Sequence, residues 1–328
     1  MVSWQGASVL VTGGTGSFGK AFIRRLLEDG EARRIVVYSR DELKQYEVRQ
    51  LFNNDPRLRF FIGDVRDRSR LQRAMHGVDY VVHAAALKQV DTAEYNPFEF
   101  VQTNIVGSQN VIDACIDAGI KRVVALSTDK ASSPINLYGA TKLCADKLFV
   151  AGNHYAAGSD TRFSVVRYGN VVGSRGSVVP FFKKLAAEGV TKLPITDVRM
   201  TRFWITLPQA VQFVLDAFDR MRGGELYVPR IPSMRITDLA KVILPEAEIE
   251  VIGIRPGEKL HEEMISAEDA YRTLRFADHY VVQPVISEWG DKPIEGGEPV
   301  PGDFIYRSDL NDQWLDGPEL QTMIDSSK

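Results

Sequence analysis

Cysteine is scarce: Cys115 and Cys144 are the only two in 328 residues. They stand far apart in stretches that read as helices, without metal-type spacing. That excludes a disulfide framework, and both are expected to be buried small hydrophobes of a reducing compartment. Long apolar runs are lacking as well, and none approaches the ~18 residues that cross a bilayer. The opening residues, Met1-Val-Ser-Trp-Gln-Gly6, show no basic region followed by an apolar one, so no signal peptide is expected. An excess of positive charge is missing: 40 Lys and Arg stand against 43 Asp and Glu, for a formal net charge of -3. That balance gives no sign of a nucleic-acid partner. Internal repeats and low-complexity blocks are absent. What remains is a soluble, cytoplasmic chain whose 44% hydrophobic residues supply core for one large α/β unit or two coupled domains.

The most informative stretch is Ser127-Thr-Asp-Lys-Ala-Ser-Ser-Pro-Ile-Asn-Leu-Tyr-Gly-Ala-Thr-Lys142. Tyr138 and Lys142 stand four apart, one helical turn, and so point the same way. A phenol titrates near pH ~10; an ammonium beside it favours the phenolate and is expected to draw it toward the working pH. Asp129 and Lys130 follow the apolar run Val123-Val-Ala-Leu126, which reads as a buried strand. They then emerge at its carboxyl end, where open α/β sheets hold ligands. One short segment offers a base, its activating cation and a separate acid–base pair.

Upstream, Ser8-Val-Leu-Val-Thr12, Gly13-Gly-Thr-Gly-Ser-Phe-Gly19 and Ala21-Phe-Ile-Arg-Arg-Leu-Leu27 read as strand, glycine turn and helix, the context a dinucleotide fingerprint requires. Gly13, Gly16 and Gly19 let backbone approach a pyrophosphate, which the helix start would favour. The second strand, Arg34-Ile-Val-Val-Tyr38, ends at Ser39-Arg40-Asp41. A free ribose hydroxyl wants an acid there and a 2′-phosphate a cation. Ser39 and Arg40 favour NADP, while Asp41 one step on keeps NAD open. Small residues at Ala84-Ala-Ala86 would let a cofactor lie close, and His83 before them reads as structural. One long helix is expected from about Phe98 to Ala118, with Asn104 inside it.

Six strands alternating with helices predict an α/β fold, a Rossmann-type doubly wound parallel sheet, followed by a smaller C-terminal substrate-binding lobe. Residues 1–172 are expected to form the NADP-binding domain, with part of 205–225 returning to it. Residues 173–328 would form mainly the nucleotide-sugar lobe, ending in an exposed Pro/Gly-rich acidic tail past Asp291. In that lobe Asn170, Arg175, Arg202, Arg255 and Glu258 are the polar groups suited to a nucleotide diphosphate and its ribose. His261 belongs to no metal ligand set, and no metal is expected.

The motifs Thr12-Gly-Gly-Thr-Gly-Ser-Phe-Gly19, Ser127-Thr-Asp-Lys-Ala131, Tyr138-x-x-x-Lys142 and Arg255-Pro-Gly-Glu-Lys259, in that order, resemble the extended short-chain dehydrogenases/reductases that act on nucleotide sugars. Within them the chain is most similar to the inverting UDP-N-acetylglucosamine 4,6-dehydratases, which open the pathway to pseudaminic acid. The telling segments are Val36–Lys44, Ser127–Lys142, Arg167–Phe182 and Met200–Ile205. Retaining relatives mostly carry Asp-Glu where this chain has Asp129-Lys130, and 4-epimerases lack the pair. The resemblance implies Asp129, Lys130, Tyr138 and Lys142 as catalytic residues, bound NADP, UDP-N-acetylglucosamine as substrate, and a homo-oligomer, hexamer or dimer. It implies cofactor contacts from Gly13, Gly16, Ser17, Phe18 and Gly19, then from Ser39, Arg40, Asp41 and Lys44. Asp64 and Val65 would sit against the adenine, with Ala84, Val171, Tyr138 and Lys142 completing the cofactor set. Substrate contacts would come from Lys88, Asn170, Arg175, Gly176, Ser177, Val178, Arg202, Arg255 and Glu258. In the implied reaction Lys130 removes the carbon-5 hydrogen, which needs its pKa lowered, and burial with Lys142 nearby is expected to lower it. A 4-epimerase, a retaining dehydratase, a plain reductase or a silent nucleotide-binding regulator on the same fold are the competing readings.

Overall fold

The structure is a computed structural model that describes residues 2–174, 177–286 and 294–326. β-Branched runs between turn residues build its main sheet. Strands β1 (Ser8–Thr12), β2 (Arg34–Ser39), β3 (Leu58–Ile62), β4 (Tyr80–His83), β5 (Arg122–Thr128) and β6 (Arg162–Tyr168) pair in parallel in the order β3-β2-β1-β4-β5-β6. This is the Rossmann-type, doubly wound arrangement. The order reverses between β1 and β4, and the crevice beyond their carboxyl ends is where such sheets take ligands. All of β1 is buried, as is most of β2 and β5, because helices cover both faces.

The sheet does not stop at β6. Leu226–Pro229 adds a seventh parallel strand beside β6, and His279–Val282, Thr273–Arg275 and Glu298–Pro299 extend it antiparallel. The helix Leu207–Arg220 returns to pack against β5, β6 and the first helix, Ser17–Asp29. A second, smaller core forms around Phe182, Leu193, Trp204, Met234 and Leu239. Leu320 and Ile324 of the helix Gly317–Asp325 close it.

Three expectations are corrected. The described part of the C-terminal stretch is no exposed tail: Tyr306 is buried, its hydroxyl bonded to the Ile231 backbone, and Asn311 is buried too. Its apolar residues had been outweighed in the sequence by acidic neighbours. The helix from Phe98 to Ala118 is three pieces, α over Pro97–Phe100, π over Val101–Val106 and α over Gly107–Asp117. π-turns collect at functional sites, and this one places Asn104. Cys144 is exposed, unlike Cys115, because the helix Leu137–Tyr155 buries the opposite face through Thr141, Lys142, Ala145 and Phe149.

Candidate active site

At the crevice, Gly13 adopts the left-handed φ of +67°, and a Cβ there would lie 2.9 Å from the Ala84 and Ala85 backbone. Only glycine allows β1 and β4 to release their turns so close together. A Cβ on Gly19 would stand 2.5 Å from Gly14 Cα. Gly16 begins the helix Ser17–Asp29 with no side-chain cap, so its first amides face the crevice uncapped. An uncapped helix start behind a glycine turn fits a pyrophosphate. At the end of β2, Asp41 is occupied locally: it accepts from Lys44 N at 3.0 Å and pairs with Lys44 Nζ at 2.8 Å, and these bonds hold its carboxyl below the usual range. Arg40 is half exposed and only 3.6 Å from Asp64, whose closer partner is Arg66 at 2.8 Å. The Arg40 guanidinium therefore stands at the rim able to meet an added anion. Residues and spacing fit a nicotinamide dinucleotide.

Further along, β5 ends at Thr128 and the chain makes a 3-10 turn, Asp129–Ala131. Asn136 then caps the next helix through Gly139 N at 2.7 Å. That start sets Tyr138 and Lys142 on one buried face. Burial pushes the Tyr138 phenol up to about 12, with Lys130 and Thr128 pulling the other way. The expectation that Lys142 lowers it is not met in the protein alone, since Lys142 Nζ donates to Leu126 O at 2.7 Å. Burial lowers Lys142 itself, opposed by Asp146.

Lys130 also departs from expectation. Its ammonium lies 3.1 Å from Asp129 Oδ1 and 3.0 Å from Glu262 Oε1. Burial favours the neutral amine, but the two carboxylates outweigh it and raise the pKa above a free lysine's. Asp129 moves the opposite way from an ordinary carboxyl: burial, helped by Glu262, lifts it despite Lys130. The resting pair is thus a neutral-leaning acid beside a firmly protonated lysine.

Residues from the lobe clasp this turn. Lys259 Nζ donates to Ser132 O at 2.7 Å, Asn136 Nδ2 to Gly257 O at 2.7 Å, and the Ser132 hydroxyl to Glu263 at 2.9 Å. Arg202 is fixed by the carbonyls of Thr201, Leu260 and Lys259 and stands 3.6 Å from Glu258 and 3.7 Å from Glu262. Glu258 also accepts from Thr196 at 3.0 Å. Asn170 Oδ1 and Ser177 Oγ are buried without a protein partner, aimed at a ligand rather than at the chain. Burial and Lys130 lower Lys88. From the first helix-breaking turn, Asn104 grips Leu87 by both its N–H and its carbonyl at 2.9 Å and donates to Thr141 at 3.0 Å, which places Lys88 against the tyrosine helix.

Every site residue expected from the sequence lines one cavity of about 1190 Å³, save Arg175 and Gly176, which lie outside the described residues. That exceeds the ~300–1,000 Å³ usual for one ligand and suits two. Sequence reasoning missed Glu262, Lys259, Thr128 and the role of Asn104. Glu262 sits in Glu258-Lys-Leu-His-Glu-Glu263, which reads as a solvated charge run, and nothing local marks it as buried. Among the described residues no group of three or more His, Cys, Asp or Glu is arranged to hold a metal, and no helix is long and apolar enough to cross a membrane.

Residues 9–284 match the family model described as polysaccharide biosynthesis protein. The chain is 55% identical, over 99% of each sequence, to UDP-N-acetylglucosamine 4,6-dehydratase (inverting) of Campylobacter jejuni subsp. jejuni serotype O:23/36 (strain 81-176). Its fold is similar to the X-ray structure of Pen from Bacillus thuringiensis, with a TM-score of 0.91, 36% identity and 99% of each chain covered. It is also similar to DesIV, a dTDP-glucose 4,6-dehydratase from Streptomyces venezuelae with NAD and TYD bound. There the TM-score is 0.68 and the identity 28%, over 77% of this chain and 86% of that one.

Proposed function

We propose the following activity for this chain, which belongs to the polysaccharide biosynthesis protein family: it removes water from UDP-N-acetylglucosamine between carbons 5 and 6, oxidises carbon-4 and inverts carbon-5. The product is UDP-2-acetamido-2,6-dideoxy-β-L-arabino-hexos-4-ulose, the first intermediate toward pseudaminic acid. The observation that carries this reading is the Asp129-Lys130 pair opening into the same cavity as Tyr138 and Lys142. The likeness to the Campylobacter enzyme supports it.

Gly13, Gly16 and the helix start at Ser17–Gly19 hold the dinucleotide pyrophosphate, Val65 and Asp64 face its adenine, and Ser39, Arg40 and Lys44 receive a 2′-phosphate, which makes NADP the cofactor. DesIV carries NAD, and the cation at position 40 is the basis for the different choice here. The bound nicotinamide supplies a reversible hydride acceptor, drawing hydride from carbon-4 and returning it to carbon-6. Tyr138 takes the proton of the carbon-4 hydroxyl. The ketone acidifies the carbon-5 hydrogen, and Lys130 removes it. Asp129, kept protonated by burial, hands its proton to the carbon-6 hydroxyl, which leaves as water. A proton then reaches carbon-5 from the opposite face. Lys88, Asn170, Ser177, Arg202, Arg255 and Glu258 orient the nucleotide sugar.

In the same reading residues 1–172, with the helix within 205–225, serve the dinucleotide, and 173–328 mainly the nucleotide sugar. The enzyme works in the cytoplasm as a homo-oligomer, a hexamer or dimer. The test is turnover of UDP-N-acetylglucosamine in heavy water, followed by NMR. One deuterium at carbon-5 and the couplings of the L-arabino 4-keto sugar are expected. A D-xylo sugar at the earliest times moves the enzyme to the retaining class. A 4-epimer, or net consumption of reduced cofactor, removes the dehydratase reading.

A further inference from the structure

Lys130 must be neutral to take a proton, yet in this structure it is held as an ammonium from two sides. Asp129 lies on its own turn. Glu262 reaches it from the lobe, next to the strand Glu263–Ile265, and is 1% exposed. One oxygen of each carboxyl, Asp129 Oδ2 and Glu262 Oε2, is buried and has no hydrogen-bond partner in the protein. A buried carboxylate oxygen left unpaired is costly unless it takes up a proton or meets a ligand. The other charged groups facing this cluster are Arg202 and Lys259 on the lobe side, with Tyr138 and Lys88 on the far side of Lys130.

We propose that Glu262 is the proton store of the dehydration step: it accepts the Lys130 proton across their 3.0 Å contact, freeing the amine to act as base, and returns it when water has left. The inference rests on the dehydratase reading and assigns a role to a residue outside the acid–base pair itself. Protons balance throughout. The cycle starts with Asp129 protonated, Lys130 as ammonium and Glu262 ionised. The first transfer leaves Lys130 neutral and Glu262 protonated. Elimination then moves the carbon-5 proton to Lys130 and the Asp129 proton to the leaving hydroxyl. Asp129 is now ionised, so Lys130 passes it a proton and takes one from Glu262, which restores the starting state with no exchange with solvent. Burial puts Asp129 and Glu262 in opposite states before the reaction, one raised and one held below the usual carboxyl range by Lys130 and Arg202 against its own burial. Arg202 is shared between Glu262 and Glu258. A substrate diphosphate drawn to that guanidinium would weaken its hold on Glu262 and make Glu262 the better acceptor, tying the transfer to an occupied site.

Glu262→Gln keeps the shape and removes the store. Its substrate-dependent reduction of bound cofactor should stay within about threefold of wild type, while dehydration falls about 100-fold at neutral pH. Because its Lys130 must lose the proton to solvent, dehydration should climb about tenfold per pH unit where the wild-type rate is flat. Glu262→Asp retains an acceptor and should restore a flat profile at an intermediate rate. Wild-type dehydration rates in Glu262→Gln, a lowered but flat profile, or equal loss of oxidation and dehydration would each overturn the proposal. A separate readout needs no turnover: 15N NMR of labelled lysine, with Lys130 assigned by Lys130→Ala. Lys130 should titrate at least about one pH unit lower in Glu262→Gln than in wild type, and an unchanged titration overturns the store. If wild type fails on UDP-N-acetylglucosamine while this titration shifts, the substrate reading fails and the store survives.

Discussion

The two halves of the cavity are built by different means. The dinucleotide half is local: a strand, a glycine turn and a helix within residues 8–29, shaped by backbone conformation and by the absence of Cβ atoms. The acid–base half is assembled from afar: Lys130 meets Glu262, Lys259 meets Ser132, and Asn136 meets Gly257, each across more than 120 residues. The first half is set by conformational preference, which tolerates a neutral environment. The second depends on buried charges, which are stable only while every partner is present. Chemistry that must hold a proton in reserve therefore belongs to the half whose pKa values the tertiary structure controls.

The largest expected effects separate the halves chemically. Tyr138→Phe should lower carbon-4 oxidation by about 10²–10⁴-fold, the range for removing a general base, so neither reduced cofactor absorbance nor product develops. Lys130→Ala should lower dehydration by a similar factor while the absorbance of bound reduced cofactor still rises on adding substrate. If both variants fail at the same step, the division is wrong.

Next comes pH. His83 ends β4 in the dinucleotide half, wholly buried, bonded to Thr12 at 2.8 Å, and lowered by burial to about 3. An unfolded imidazole takes a proton near its ordinary 6.5 while the folded one resists, so this stability is full above pH 6.5 and is lost as pH falls toward 3. Between pH 6.5 and about 4.5 the loss should be about 3 kcal/mol. Urea titrations of wild type and His83→Gln over that range check it, and equal slopes would show that His83 is not the cause.

Two glycines sharpen the contrast. A Cβ on Gly139 would run into the Lys130 carbonyl oxygen and come within 3.1 Å of Pro134. Gly139→Ala should cost about 1–3 kcal/mol and displace Lys130, so thermal melts fall and dehydration suffers more than oxidation. Gly13→Ala, strained at φ +67°, should cost a similar amount but act on cofactor affinity instead. Identical kinetic signatures would erase the distinction.

The smallest effect concerns cofactor choice. Arg40→Ala should weaken NADP about tenfold, the equivalent of one charge-assisted hydrogen bond at an exposed site, and leave NAD unchanged. Parallel titrations by fluorescence decide it, and equal losses would make Arg40 a scaffold for Asp64.

The sequence by itself determined the parallel sheet, its glycine turn and the sets Asp129-Lys130 and Tyr138-Lys142, because each rests on short-range periodicity or on residues within one or two helical turns. It even placed the segments Arg202 and Arg255–Glu258 on the same cavity as the turn. Only the tertiary structure decided the electrostatics. Tyr138 was read as lowered by Lys142, yet it rises because burial outweighs any cation and Lys142 turns to Leu126. Lys130 was read as a weakened cation, yet Glu262 and Asp129 fasten its proton. The π-turn that presents Asn104 and the burial of the C-terminal Tyr306 belong to the same class. A pKa is the sum of desolvation and of charges a few ångströms away, and distance in space between residues 130 and 262 is a property no local pattern carries.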